Sequence, residues 1–315
     1  MKKLFVLSGG IGSEREVSLA SGKNVIETLR SEGIECEEVI VEQDKKFHYE
    51  DKVMTEEEGV QFLYDQNALV FQLIHGMYGE DGELVKKLET KKIPCIGSIS
   101  SVLSITYNKY LTEVVLREHG VMCTQSLLVK KLEDVTSAPR LTFPSIVKPN
   151  TEGSSVGLVK VETYLALKEQ IPKSLATHTQ LLVQKCIVGR EFTCGVVEIG
   201  RKPLALLPTE IITNHGKLFD YEAKYTQGVC REVTPADVDD ELRERIQAVA
   251  MRVHNLCGCK DISRTDMILD EEGALVVLEI NTIPGMTKTS FIPAQMKASG
   301  YTLAQFIETM IEKYQ

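Results

Sequence analysis

One stretch limits the possible folds more than any other: Arg264-Thr-Asp266-Met-Ile-Leu-Asp270-Glu-Glu-Gly273-Ala-Leu-Val-Val-Leu-Glu279-Ile-Asn281. Two β-prone runs flank a turn-forming Asp-Glu-Glu-Gly, which is the pattern of a hairpin. Taking residues 271–274 as a four-residue loop pairs Asp270 with Leu275, Asp266 with Glu279 and Arg264 with Asn281. Side chains two apart on a strand share a face. Asp266, Glu279 and Asn281 therefore converge with Arg264 beside them, on a surface that nearer the turn carries Ile268, Leu275 and Val277. Carboxylate and amide oxygens are the hard ligands Mg²⁺ prefers, usually alongside waters or substrate phosphates. An exposed antiparallel face also carries acidic residues for solvation alone, so the hairpin by itself leaves both readings open.

The remaining chain narrows them. At 315 residues it can bury a full core and suggests two or three domains. A net charge of −9 argues against nucleic acid as the main partner, because duplex binding needs Lys and Arg to neutralise phosphates. The opening Met-Lys-Lys-Leu-Phe-Val-Leu is too short an apolar run for an export signal and stops at Ser8-Gly9-Gly10. No apolar stretch approaches a membrane span, so no membrane partner is expected. The eight cysteines then read as buried thiols of a reducing compartment, and the chain as cytoplasmic. His254-Asn-Leu-Cys257-Gly-Cys259 lacks the second Cys pair of a zinc site and reads as a helix end running into a strand.

Residues 1–98 alternate strand and helix: Lys3 to Leu7, a helix from about Glu14 to Arg30, Cys36 to Val41, the run Ala68 to Ile74 and a helix through Leu88. Such alternation implies parallel strands with crossover helices. The polar segment from Asp44 to about Glu58 reads as a loop or excursion outside the core. Ligands of such sheets collect at the carboxyl ends of the strands. There lie Gly9-Gly-Ile-Gly-Ser-Glu14-Arg-Glu16, without the third glycine of a dinucleotide fingerprint, and His75-Gly-Met-Tyr-Gly-Glu-Asp-Gly82. From about residue 99 a helix near Lys109 to His119 leads into short β-rich pieces: 125–129, 145–148, 156–161, 181–185, 192–198 and 204–212. Two later helices carry core stripes, Leu242-Ile246-Val249-Val253-Leu256 and Leu303-Phe306-Ile307-Met310-Ile311.

Between two of those strands lies Lys148-Pro-Asn-Thr-Glu-Gly153-Ser154-Ser155-Val-Gly157. Small residues there let backbone amides approach an anion, and the lysine adds a point charge. The lysine precedes the glycines and no helix follows, so this is not a Walker A loop, and a plain Gly/Ser hairpin turn has the same composition. Lysines 109, 148, 185 and 224 stand near strand ends or in loops, where they could meet phosphates whose metal sits on the hairpin.

Seven passages in register resemble the ATP-grasp carboxylate-amine ligases and, among these, the D-alanine-D-alanine ligases. They are Gly-Gly with Ser13-Glu14-Arg-Glu-Val-Ser18; His75-Gly with Gly79-Glu-Asp-Gly82; Val147-Lys-Pro with Glu152-Gly-Ser-Ser-Val-Gly157; Gly189-Arg-Glu-Phe-Thr193; Phe219-Asp-Tyr-Glu-Ala-Lys-Tyr225; Arg264-Thr-Asp266; and Leu278-Glu-Ile-Asn-Thr-Ile-Pro-Gly-Met-Thr287. The resemblance implies an α/β ATP-grasp fold: an N-terminal parallel α/β domain over 1–98, then two α+β subdomains enclosing ATP, 99–184 and 185–315, the last with the metal and catalytic residues.

It also implies that ATP and D-alanine are the substrates, two Mg²⁺ ions or Mn²⁺ the cofactor, peptidoglycan precursor synthesis the role, and a homodimer the assembly. Glu14 would hold the first D-alanine's ammonium, with His75 nearby. Lys109, Lys148 and Lys224 would meet the ATP phosphates, with Ser154 and Ser155 in the phosphate loop. Gln184, Lys185 and Ile187 would frame the adenine and Glu191 the ribose, while Asp266, Glu279 and Asn281 would hold the metal. Ser154, Tyr225 and Glu14 would form a network fixing a loop within 213–230 over the site. Arg264 and the backbone around Gly285 would stabilise the tetrahedral oxyanion, and Ser290 would bind the acceptor carboxylate.

The chain departs from the family pattern at three positions: Gln184 for a glutamate facing adenine, Asn108 for an aspartate, and Phe291 for a leucine lining the acceptor pocket. By the same resemblance, Tyr225 implies D-alanine and not D-lactate as acceptor, because the resistance-type ligases usually change this loop position. Two alternatives follow: a ligase joining D-alanine to D-serine, D-lactate or another amino acid, and a non-catalytic nucleotide-binding protein of the same shape, which would be expected to lose Arg264 or a metal ligand.

Overall fold

Six of the seven residues of strand Lys3–Gly9 are buried, as a strand covered on both faces requires. In the computed structural model, which describes residues 2–137, 141–153, 156–200, 202–213 and 230–315, it pairs in parallel with Glu37–Val41 and Ala68–Gln72. Cys95–Ile96 extends this parallel sheet at one edge. Helix Arg15–Ser31 crosses it so closely that a Cβ on Gly22 would lie 2.6 Å from Ser8 Oγ.

Segment 44–58 is not the outlying loop its composition suggests. Phe47–Tyr49 and Lys52–Met54 form a hairpin that continues the sheet antiparallel to Glu37–Val41, and Phe47 is fully buried. A Thr55/Glu58 capping box then starts helix Glu56–Asp65, which buries Val60 and Leu63. One aromatic anchor and a cap organise a segment whose polar residues hide both.

A second, four-stranded antiparallel sheet runs Ser126–Val129, Leu181–Lys185, Ser145–Pro149, Val159–Val161 in spatial order. Val147 and Val183 face helices Leu132–Thr136 and Tyr164–Leu175, where they join Val135, Leu167 and Ile171 in a core. Ile146, Lys148 and Gln184 line a cleft on the opposite side.

The third sheet runs Cys230–Val233, Thr209–Thr213, Gly189–Ile199, Ile262–Asp270, Leu275–Asn281, and Lys202–Ala205 also pairs with Gly189–Ile199. The single strand expected over 204–212 is thus two, separated at Leu206-Leu207-Pro208, where proline has no N–H to give a ladder. Helix Asp240–Leu256, capped by Asp239 accepting from Leu242 N at 2.8 Å, buries Ile246, Ala250 and Val253 on this sheet.

The first and third sheets share one core, in which Val6, Leu29 and Phe71 meet Val197, Ile292, Phe306 and Met310. Helices Ser100–Tyr107 and Lys109–Glu118 also belong with the third sheet: Val102 and Leu116 pack with Val253, Val277 and Ile280. Of the stretch expected as the central subdomain, the residues sharing the second sheet's core therefore begin after these helices.

Candidate active site

The hairpin turn is one residue tighter than the sequence reading. Asp270 N–H donates to Ala274 O at 2.9 Å, and Asp270 Oδ1 accepts from Glu272 N at 3.0 Å and Ala274 N at 2.8 Å. Leu275 consequently faces Leu269 and Val277 faces Met267. A β-bulge then restores the expected register, so that Asp266 lies opposite Glu279 and Arg264 opposite Asn281. The metal-type residues do share a face, but Leu275 and Val277 do not join it; they pack toward helix Asp240–Leu256. The bulge instead puts Leu278 and Glu279 together on the cleft, with Ile268.

Asp266 is the hub. Arg264 grips it bidentately, Nε to Oδ1 at 2.9 Å and Nη2 to Oδ2 at 2.8 Å, while Thr193 Oγ1 donates to Oδ1 at 2.5 Å and Asn281 Nδ2 approaches Oδ2 at 3.3 Å. Burial works against the Arg264 charge, but Asp266, assisted by Glu279 and Glu80, outweighs it and raises the guanidinium pKa. The same guanidinium sits 5.5 Å from the Phe291 ring centre. Glu279 has its own cation, Lys109 Nζ at 3.4 Å from Oε2.

Lys109 opens its helix under a cap from Asn108, whose Oδ1 accepts from Leu111 N at 3.0 Å. That is a role asparagine fills as well as aspartate, so the departure at 108 preserves the element that aims Lys109. Lys109 Nζ also donates to Glu152 O at 2.6 Å. Asn150, fully buried, locks the phosphate-type loop to this helix: its Oδ1 accepts from Tyr110 N at 3.0 Å and its Nδ2 donates to Gln180 Oε1 at 2.9 Å.

Lys109 and buried Lys148 share the cleft with Glu152, Arg264, Asp266 and Glu279. The cleft is also lined by Ile146 from the second sheet and Leu158 just before its last strand, by Ile211, Ile268 and Leu278 from the third sheet, and by Gln184, Lys185, Ile187 and Glu191. Apolar walls at one end and cations with carboxylates at the other fit a nucleotide, base inward and phosphates at the metal-type face.

Glu14 sits at the head of helix Arg15–Ser31. Ser18 secures this loop, accepting from Gly9 N at 2.9 Å and donating to Leu73 O at 2.7 Å. The Gly153 backbone lies hard against Glu14: a Cβ there would come within 2.2 Å of Glu14 Oε2. His75 is buried with Nδ1 3.8 Å from Glu80 Oε1, and among the described residues its Nε2 has no hydrogen-bond partner. Tyr107 OH is also buried without one, and its pKa is raised by burial first and then by Glu152, Glu80, Asp81 and Glu14. Glu80, Glu152 and Glu279 line a pocket with Tyr107 and Lys109.

Ser290 caps helix Phe291–Ala298; its Oγ accepts from Thr287 N at 2.9 Å, and a Cβ on Gly285 would lie 2.9 Å from it. Ser154, Ser155, Lys224 and Tyr225, with most of the expected covering loop, lie outside the described residues. Among those described, no cluster of three His, Cys, Asp or Glu could hold a metal. Asp266, Glu279 and Asn281 are a sparse set of oxygen donors, and a Mg²⁺ held by so few would need waters or phosphates to complete its coordination. His254 Nδ1 lies 2.7 Å from Ser263 Oγ, and burial raises the Cys257 thiol to about 11, so this segment is packed interior.

The sequence reading missed Thr193, Asn150, Tyr107 and Glu80, whose roles come from contacts between segments far apart in the chain. Glu80, Asn150 and Thr193 carried a signal, as members of the glycine-bearing passages, and Tyr107 carried none.

Against known proteins, the family model D-ala D-ala ligase C-terminus matches residues 114–312. The chain is 35% identical to the D-alanine--D-alanine ligase of Azobacteroides pseudotrichonymphae, covering 99% of both, and 32% identical to that of Halalkalibacterium halodurans, covering 98% of both. Among solved structures it is similar to the VanG D-Ala:D-Ser ligase of Enterococcus faecalis, with a TM-score of 0.84 and 27% identity over 100% of this chain and 99% of that one. The D-alanine--D-alanine ligase of Bacillus anthracis superposes with a TM-score of 0.80 and 25% identity over 100% and 97%. The fold is therefore the ATP-grasp fold, and the chain belongs to the D-alanine–D-alanine ligase family.

Proposed function

We propose that the chain joins two D-alanines into D-alanyl-D-alanine for peptidoglycan precursor synthesis, with ATP converted to ADP and phosphate. The observation that carries this reading is the convergence of Arg264, Asp266, Glu279 and Lys109 at one end of an apolar-walled cleft. Joining a carboxylate to an amine in water is uphill, so the carboxylate is first phosphorylated. Lys109 and Lys148 draw charge from the phosphates during that in-line transfer. Asp266, Glu279 and the Asn281 amide oxygen would hold two Mg²⁺, or Mn²⁺, which when bound neutralises phosphate charge. Each of the two carboxylates already faces a cation, and incoming phosphates offer those cations new partners. Glu14 holds the ammonium of the first D-alanine, with His75 at the same pocket. When the second amine attacks, Arg264 and the backbone near Gly285 donate to the tetrahedral oxygen, and Ser290 holds the acceptor's carboxylate.

Water would destroy the acyl phosphate, and its exclusion belongs in this reading to the segment within 213–230, with Ser154 and Tyr225. A homodimer and a cytoplasmic location complete the proposal, with the chain divided in sequence order as 1–98, 99–184 and 185–315 while the helices at 100–118 pack with the last part. No helix among the described residues is long and apolar enough to cross a membrane. Phosphate release from ATP tests the reaction: D-alanine should trigger it, and L-alanine or buffer should not. Release that ignores D-alanine overturns the proposal. Offering D-serine and D-lactate as acceptors in the same assay decides whether Phe291 alters the second substrate.

A further inference from the structure

Gln184 lines the cleft where the base is placed, yet its charge-bearing neighbour is on another element. Glu113, on helix Lys109–Glu118, is 4% exposed and collects three donors: Thr124 Oγ1 at 2.5 Å, Ser126 Oγ at 2.7 Å and Ser126 N at 3.0 Å. Ser126 stands opposite Gln184 on the adjacent strand, with its Oγ 3.1 Å from Gln184 Oε1. A hydroxyl has one proton, which cannot serve both oxygens. Hydrogen bonds to a carboxylate are the stronger, so the proton belongs to Glu113, and Ser126 turns a lone pair toward the carboxamide. That lone pair is satisfied when Gln184 presents its Nε2 to Ser126. The carboxamide oxygen then faces the cleft.

We infer that Glu113 and Ser126 are positioning residues that fix the Gln184 carboxamide as an acceptor and so make the site select a 6-amino purine over a 6-oxo purine. The inference rests on the reading that the ATP base lies beside Gln184. It explains how an uncharged residue serves there: the negative charge sits two hydrogen bonds away, on Glu113, with Ser126 between them. The helix carrying Glu113 also begins with Lys109, so one element sets both the base end and the phosphate end of the cleft.

The test is the ratio of kcat/KM for ATP to that for inosine triphosphate, measured with D-alanine on the full chain. Ser126→Ala frees the carboxamide to turn and should reduce the ratio by about 10-fold or more, chiefly through KM for the nucleotides. Ser126→Thr keeps the hydroxyl and should preserve it. Glu113→Gln releases the serine proton toward Gln184 and should also reduce the ratio. A purely structural role would weaken both nucleotides equally and leave the ratio in place, which would overturn the inference. Gln184→Leu separates the two layers. If it collapses the ratio while Ser126→Ala and Glu113→Gln do not, the positioning role fails and the base placement stands; if it leaves the ratio intact, the base placement fails as well.

Discussion

Asp266 shows how much one residue depends on its surroundings. The sequence put it on a face with Glu279 and Asn281 and set Arg264 beside them, but it showed neither the bidentate grip of that guanidinium nor the Thr193 hydroxyl that also holds it. Glu279, by contrast, is only partly buried and has Lys109 as its cation. Glu279→Gln should therefore leave the melting temperature nearly unchanged while lowering Mg²⁺-dependent turnover by about 100-fold or more, as expected when a metal ligand loses its charge. Ordinary turnover at ordinary Mg²⁺ would remove it from the metal site.

His254 makes a separate prediction. Burial, opposed by Asp261 and reinforced by Lys313, lowers its pKa from 6.5 to about 4. The unfolded chain thus takes up the proton first, and stability present above pH 6.5 is lost as pH falls toward 4, by on the order of 3 kcal/mol. Urea titrations of His254→Gln against the parent should show that this part of the acid loss disappears; an identical pH profile would contradict it.

Among elements, the least legible were those defined by exceptions to a regular pattern. The hairpin's existence and its far register were readable from alternation and turn residues. Its bulge was not, because Asp270-Glu-Glu-Gly273 suits both loop lengths and only the Asp270 side-chain bonds choose between them. Segment 44–58 was misread for a related reason: strand pairing came from a neighbouring edge, not from local composition.

A ladder break in Gly189–Ile199 shows the same dependence. Between its pairings at Thr193–Thr209 and Val196–Ala205, the Gln295 carboxamide fills the gap, accepting from Gly195 N at 2.8 Å and donating to Thr193 O at 2.9 Å. Gln295→Leu leaves both backbone groups buried without that partner and should destabilise by about 2–5 kcal/mol. Because Thr193 steadies Asp266, kcat should fall too, and a denaturation midpoint equal to the parent's would contradict the assignment.

At the scale of the whole molecule, parallel alternation made the first sheet legible, and seven ordered passages identified the family. What sequence order concealed is how the sheets combine. The helices spanning 100–118 look like the start of a central unit, but their apolar faces serve the third sheet. The cleft consequently lies between a sheet with its own core and a larger body built from the chain's first and last parts. On the proposed reading, this arrangement brings a carboxylate held near Glu14 to a phosphoryl group held by Lys109 and Lys148.

The most direct test follows the oxygen. With D-alanine carrying ¹⁸O in its carboxylate, attack on the terminal phosphate and later displacement of phosphate from the acyl carbon by the second amine must move one labelled oxygen from carboxylate to phosphate for each dipeptide formed. Mass spectrometry of the products should find one ¹⁸O in inorganic phosphate per D-alanyl-D-alanine. Dipeptide accompanied by unlabelled phosphate, or by label in AMP, would contradict phosphorylation of the carboxylate and the active-site assignment built on it.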